Sequence, residues 1–528
     1  MDVQAPLPIA SSRTLIDALR QRLQSQTGQA VSLVETHISW VLLTDRLAYK
    51  LKKPVRLPFV DFSTLALRKH FCEEEVRLNR RLAPSLYLGV VRVSGSVQAP
   101  SFDGPGETID YVVCMRRFAP GVLLSEQLMA GSLRPEHLAD LAWRLAAFHQ
   151  HAPIAPLMPI GDATERVAGP VLGVLRQLRI HSGAARIDAL ESWVVAQAEA
   201  LRDTWSARQR DGQVRECHGD LHLANAVLLD GEATAFDCIE FDPALRLTDV
   251  LSDVAFLTMD LKANGRDDLA FRFLDTYLQC SGDYAGVPVL RFYEVYRALV
   301  RALVHGLRAG IGAALPSDAG PDYLGCAERM TRGSGSPPRL LITHGVSGSG
   351  KSTVAQQLLS VAGAIRLRSD VERKRLFGLA ALERSTDRAR VYGPDATLRT
   401  FNRLAECARG ALRAGYPVIV DAAFLRRAER DVLRALAAEL RVPFTILHCS
   451  ANTARLRERV AARGNSGDDA SEADLEVLER QLGYAEPLSD DERALAIDVN
   501  TDEPVDAAAL SERWSARAGL SSQPSPSG

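Results

Sequence analysis

Apolar and polar positions alternate in two different styles along this chain. VSLVETHISWVLLTDRLAYKLKKPV, residues 31–55, is dense in β-branched and aromatic residues and breaks near Asp45, which predicts strands joined by a turn. LRKHFCEEEVRLNRRLA then spaces Phe71, Val76, Leu78 and Leu82 as one face of a helix. IDYVVCMRRF reads as a further strand, and PEHLADLAWRLAAFHQH and LESWVVAQAEALRDTW as long helices. A small β-rich lobe thus precedes a larger helical one. After residue 339 the style changes. Apolar strands RLLITHG, AIRLRS, YPVIVDAA and PFTILHCSA alternate with helical patterns such as KSTVAQQLLSVA and RAERDVLRALAAEL, which predicts a parallel sheet with crossover helices. TRGSGSPPR has linker composition between the two regions, and SSQPSPSG at the end is low-complexity. The expected division is residues 1–330, a linker at 331–338, residues 339–515, and a disordered tail at 516–528.

Composition narrows the class. Hydrophobic residues make up 46% and charged residues 24%, as in soluble globular proteins. A net charge of -2 gives no global basic field for nucleic acid. The start lacks the basic and apolar regions of a signal peptide, and no run of about 18 apolar residues exists to span a bilayer. Eight cysteines form no CxxC pair, so neither a zinc ribbon nor a redox motif is indicated. The expectation is a cytoplasmic protein without a membrane partner; no oligomeric state is legible. Of 63 basic residues only seven are lysine, three of them within residues 50–53 and one at 351. Where arginine is the default cation, a lysine points to use of its compact ammonium.

Gly345-Val346-Ser347-Gly348-Ser349-Gly350-Lys351-Ser352 fits GxxxxGK[ST], with Thr353 following, between a strand and a helix. Glycines let successive N–H groups face phosphate oxygens, and the helix starting at Lys351 adds its positive end. Lys351 then reaches the β/γ-phosphates and the Ser352 hydroxyl binds Mg²⁺. The next strand ends in RSDVERKR, so Asp370 stands at the carboxyl edge of the sheet, where it can accept a proton from an acceptor hydroxyl. Arg373 shares its helical face. Asp421, after PVIV, reaches the same edge as a water-mediated Mg²⁺ ligand or a substrate contact. In ARLRERVAARG, arginines at 455, 459 and 463 recur every four residues; such a row can close over phosphates, or simply form a solvated face, the reading that suits Arg455 and Arg457 best.

In this order the motifs resemble the polynucleotide-kinase-like P-loop phosphotransferases and their zeta-toxin-like and gluconate-kinase-like relatives, over residues 339–482. The resemblance implies Asp370 as general base, Arg373 on the acceptor or its phosphate, and Arg459 and Arg463 as lid residues. Nothing marks a nucleic-acid groove, so a small hydroxyl compound is favoured over a polynucleotide as acceptor.

Upstream, CHGDLHLANAVLL carries Asp220 and, five residues on, Asn225; TAFDCIEFD places Asp237 after a short apolar run. That spacing suits a catalytic loop in which Asp220 accepts a hydroxyl proton while Asn225 and Asp237 hold Mg²⁺. It resembles the aminoglycoside-phosphotransferase-like branch of the protein-kinase fold, over residues 31–310. The resemblance implies Lys50 for the α/β-phosphates, with Lys52 on the same strand face as substitute; Glu75, or else Glu74, as its partner; DYVVCMRRFAPG as hinge; and Asp253 as brace of the catalytic loop. The expected fold is therefore an α+β bilobal kinase-like domain followed by an α/β P-loop domain with a parallel sheet. The expected function is a bifunctional kinase using ATP and Mg²⁺. LVETHISWVLLTD, where a glycine-rich loop belongs, contains no glycine. That absence supports the other reading, a pseudokinase-like binding module controlling a P-loop kinase or ATPase.

Overall fold

The computed structural model describes residues 9–57, 60–156, 162–180, 183–308, 320–333, 337–466 and 469–520. The chain forms two compact units, one of residues 1–157 and 209–253, the other of residues 158–208 and 254–528.

In the first unit, an antiparallel sheet of six strands runs in the order Ser32–Glu35, Ser39–Leu43, Leu47–Lys52, Thr108–Arg116, Tyr87–Gly95, Pro100–Phe102. The period of two divides its faces. Trp40, Leu42, Leu51 and Val112 pack with Leu15, Ile16 and Leu19 of helix Ile9–Thr27. Ala48, Val113 and Met115 face Cys72 and Val76 of helix Leu65–Asn79. That helix starts where the Thr64 hydroxyl accepts from Leu67 N, a side-chain N-cap. Lys50 and Lys52 lie on the same face as Ala48, and so reach the helix. Helix Pro135–His151, the hairpin Ala226–Leu229/Glu232–Ala235 and the pair Val214–Glu216/Leu247–Asp249 complete the unit.

In the second unit, five parallel strands run in the order Ile365–Arg368, Val418–Asp421, Leu340–His344, Phe444–Ser450, Ala496–Asn500. Four of them are the strands expected from sequence; Ala496–Asn500 is an addition. Helices Lys351–Ala362 and Arg427–Leu440 lie where their patterns put them. Helix Asp267–Ser281, from the region ahead of residue 330, belongs to this unit too, and Phe271 on it meets Gly363 at the end of the P-loop helix. The pattern 190–205 is two helices, Ala184–Ala200 and Arg202–Arg210. Part of the linker, 334–336, lies outside the described residues. Of the tail, residues 516–520 finish helix Ala507–Leu520 and 521–528 lie outside.

Candidate active sites

In the second unit the chain leaves strand Leu340–His344, turns through the glycines and enters helix Lys351–Ala362. Gly348 has φ of +81°, and a Cβ there would stand 2.6 Å from the Leu456 carbonyl oxygen, so only glycine fits. Lys351 is half-buried; its Nζ donates to the Val346 carbonyl at 3.4 Å. Burial lowers its pKa, with Arg463 adding to that and Asp421 and Asp370 opposing it. The Ser352 hydroxyl donates to Asp421 Oδ1 at 3.0 Å, while the buried Oδ2 accepts no hydrogen bond. A hydroxyl and a carboxylate with a spare oxygen are hard donors that fit Mg²⁺.

A cavity of about 480 Å³ opens here, lined among others by Lys351, Ser352, Asp370, Arg373, Asp421 and Arg463. The expected base, phosphate cation and metal donors therefore share one space. Arg373 is buried over the Tyr392 ring; its Nη1 donates to Val391 O and Thr397 Oγ1, and its Nε has no partner. Arg459 does not line the cavity. It holds the phosphate loop from outside, donating to Gly348 O at 3.2 Å and to Thr501 Oγ1 at 2.8 Å. Arg455 and Arg457 make exposed pairs with Glu458 and Glu479. Sequence reading missed Arg368, which pairs with Asp469 and stands 3.7 Å from Asp421, and Gln481, whose Oε1 accepts from Ser347 N at 2.7 Å. No local pattern marks either residue.

In the first unit Asn225 Nδ2 donates to both the carbonyl and the carboxylate of Asp220, at 2.9 and 3.0 Å. Phe236 N donates to Asn225 O, and His218 Nε2 lies 2.9 Å from Phe236 O, so Asp237 follows directly beside the loop. Asp253 braces the loop, as the resemblance implied: its carboxylate accepts from His218 N at 2.6 Å and Gly219 N at 2.9 Å, with His149 Nε2 at 3.3 Å. Burial works against the charge of Asp253, yet the two histidines hold its pKa below the ordinary value.

Lys50 and Lys52 both close on the buried Glu75, at 2.8 and 2.7 Å. Lys50 continues to Asp237 at 2.7 Å; the more deeply buried Lys52 continues to Glu240, which sequence reading did not single out. Glu74 instead pairs with Arg77. The network holds two cations and three carboxylates, so one acid is left short of compensation. Burial pushes Glu240 up, whereas the two lysines outweigh burial at Glu75 and hold it down at about 2. Both lysines are raised, because the carboxylates outweigh their own desolvation. Where a glycine-rich loop belongs, Thr36 Oγ1 accepts from Ile38 N and Ser39 N and closes the turn with a hydroxyl.

The profile of the phosphotransferase enzyme family matches residues 60–293, and that of the AAA domain matches residues 340–488. Uncharacterized proteins of Mycobacterium tuberculosis and Mycobacterium bovis are 31% identical over 451 residues, 84% of this chain and 88% of theirs. Among solved structures, a gluconokinase from Sinorhizobium meliloti is 22% identical and covers 36% of this chain and 99% of its own, with a TM-score of 0.26. A choline/ethanolamine kinase family protein from Mesorhizobium loti is 14% identical over 60% of this chain and 92% of its own, with a TM-score of 0.35.

Proposed function

The chain belongs to the family of these mycobacterial proteins and joins a phosphotransferase-family domain to a P-loop kinase domain; on that premise we propose that it is a bifunctional ATP-dependent kinase. Each site transfers the γ-phosphoryl group of ATP to a hydroxyl of a small molecule. The observation that carries this reading is the cavity shared by Lys351, Ser352, Asp421, Asp370 and Arg373.

At the P-loop site, backbone N–H groups and Lys351 bind the phosphates and orient the γ-phosphorus. Asp370 takes the proton of the acceptor hydroxyl as its oxygen bonds to that phosphorus; the bond to the β–γ bridging oxygen breaks, and ADP leaves with the electron pair. Ser352 and Asp421 would hold Mg²⁺, which would supply positive charge for the developing negative charge. Arg463 adds charge at the phosphates, and Arg373 offers its unpartnered edge to an anionic group of the acceptor. At the upstream site Asp220 is the base, Asn225 and Asp237 are the metal donors, and Lys50, set by Glu75, meets the phosphates. No helix among the described residues is long and apolar enough to cross a membrane. The cytoplasm is the compartment we propose, and a polynucleotide acceptor is not favoured.

The test is transfer of labelled γ-phosphate from ATP to a metabolite extract by the full chain. Lys351→Ala and Asp220→Ala should each remove a different labelled product. If neither substitution changes labelling or nucleotide binding, the reading is dead.

The turn closed by Thr36 instead of glycine favours a second reading for the first unit, a pseudokinase-like ligand sensor. Calorimetry with the Lys351→Ala chain separates the two. Binding of Mg·ATP together with phosphate transfer excludes the sensor, whereas ligand binding without transfer supports it.

A further inference from the structure

Arg366 sits in strand Ile365–Arg368, just ahead of the proposed base, and is buried. Its guanidinium is shared between two parts of the chain. Nε and Nη2 grip the Asp275 carboxylate in a bidentate pair at 3.2 and 2.7 Å, and Asp275 is buried in helix Asp267–Ser281. Nη1 donates to the carbonyl of Ser352 at 3.1 Å and lies 3.8 Å from Asp421 Oδ2, the oxygen that accepts no hydrogen bond. The same helix also holds the element that carries Asp370 and Arg373. Arg375, on helix Ser369–Leu376, donates to the carbonyls of Gln279 and Cys280 in its last turn, where helix carbonyls lack internal partners.

We propose that Asp275, from the helical region ahead of the P-loop domain, is a positioning residue of the P-loop site that acts through Arg366 on Ser352 and Asp421. The proposal rests on the reading of that cavity as a Mg-nucleotide site. A buried guanidinium takes whichever carboxylate offers most charge. With Asp275 in place, Arg366 is neutralised from behind and spends only one N–H on the Ser352 carbonyl. Asp421 stays turned to the Ser352 hydroxyl with an oxygen free for Mg²⁺. Without that charge, Arg366 closes the remaining distance to Asp421 and competes with the metal. The P-loop site is therefore completed by a residue more than sixty positions before its first glycine.

The test uses the full chain, with ADP as probe, titrated by calorimetry across Mg²⁺ concentrations and in EDTA. The binding event that Lys351→Ala abolishes is the one read. Asp275→Asn should raise the Mg²⁺ concentration for half-effect about 10–100-fold, the range for partners that orient metal ligands. Metal-free ADP affinity should stay within about twofold, and Asp275→Glu should recover most of the loss. If Asp275→Asn fails to fold, the pair Asp275→Asn with Arg366→Met, which leaves no buried charge alone, carries the test. That pair should respond to Mg²⁺ within about threefold of wild type, because Arg366 no longer competes for Asp421 and Arg368 stands 3.7 Å from it as in the wild type. Equal losses with and without Mg²⁺, or an unchanged Mg²⁺ response in Asp275→Asn, overturn the proposal. So does a double variant that remains blind to Mg²⁺. A wild-type chain with no Mg-nucleotide event sensitive to Lys351→Ala overturns the kinase reading of the cavity and takes this proposal with it.

Discussion

Glu75→Gln and Glu240→Gln remove one charge each from the same buried network, yet they should differ widely in cost. Glu75 lies between Lys50 and Lys52, and its carboxyl is held at about 2 against an ordinary 4.5. That displacement corresponds to about 3 kcal/mol of stability at neutral pH, close to the cost of breaking a buried pair by deleting one partner. Glu240 is raised by its own burial, so its charge is poorly compensated, and a neutral glutamine can still accept from Lys52. Its replacement should cost about 1 kcal/mol or less. The lysines' own shifts are these contacts seen from the other partner and are not added. Hydrogen–deuterium exchange of peptides covering residues 39–52 and 65–79 reads the local opening energy. Glu75→Gln should speed their exchange about 100-fold and Glu240→Gln less than about tenfold. The two acids also oppose each other in pH. The Glu75 contribution is complete above its unfolded value of 4.5 and is lost as pH falls through about 2. Glu240, raised in the fold, favours the folded state at low pH and loses that contribution as pH climbs past its unfolded value. Equal protection in the two variants, or greater loss in Glu240→Gln, would refute the assignment of charge within the network.

Asp370→Asn should lower kcat for the product lost in Lys351→Ala by about 10²–10⁴-fold while leaving ADP affinity within about threefold, measured by steady-state kinetics and calorimetry. Gly348→Ala forces a Cβ against the Leu456 carbonyl at a left-handed φ; the strain of about 1–3 kcal/mol should cost the P-loop site at least tenfold in ADP affinity and leave the upstream product intact. Lys351 has a lowered pKa that bound phosphates would raise again, so nucleotide binding at alkaline pH should take up protons. Calorimetry in buffers of different ionisation enthalpy reads that uptake; net release would contradict it.

The phosphate loop was legible because its chemistry is local: eight consecutive residues, a strand before and a helix after. The same holds for Asp220, Asn225 and Asp237, which lie within 18 residues and meet through short loop contacts. Depth was not legible. A period of two places Lys50 and Lys52 on one face, but their separate partners Asp237 and Glu240 appear only when the sheet is assembled. Nor does a spacing of four separate Arg459 from Arg463. One helical turn carries the first to the outside of the phosphate loop and leaves the second in the cavity. His149, Asp275, Arg366 and Gln481 carry no local signature, since each acts on a residue far away in the chain.

The two compact units are interleaved in the chain, residues 158–208 and 254–528 alternating with 1–157 and 209–253. A ribosome that has released residue 157 has made only part of the first body, and helices Asp162–Arg179 and Ala184–Ala200 must await their later partners Val287–Arg308 and Tyr323–Thr331. Truncation at the apparent seam near residue 335 would thus strand Asp275 with one product and Arg366 with the other. Gene fragments divided there should yield insoluble or sluggish polypeptides, whereas co-expressed halves could complement one another.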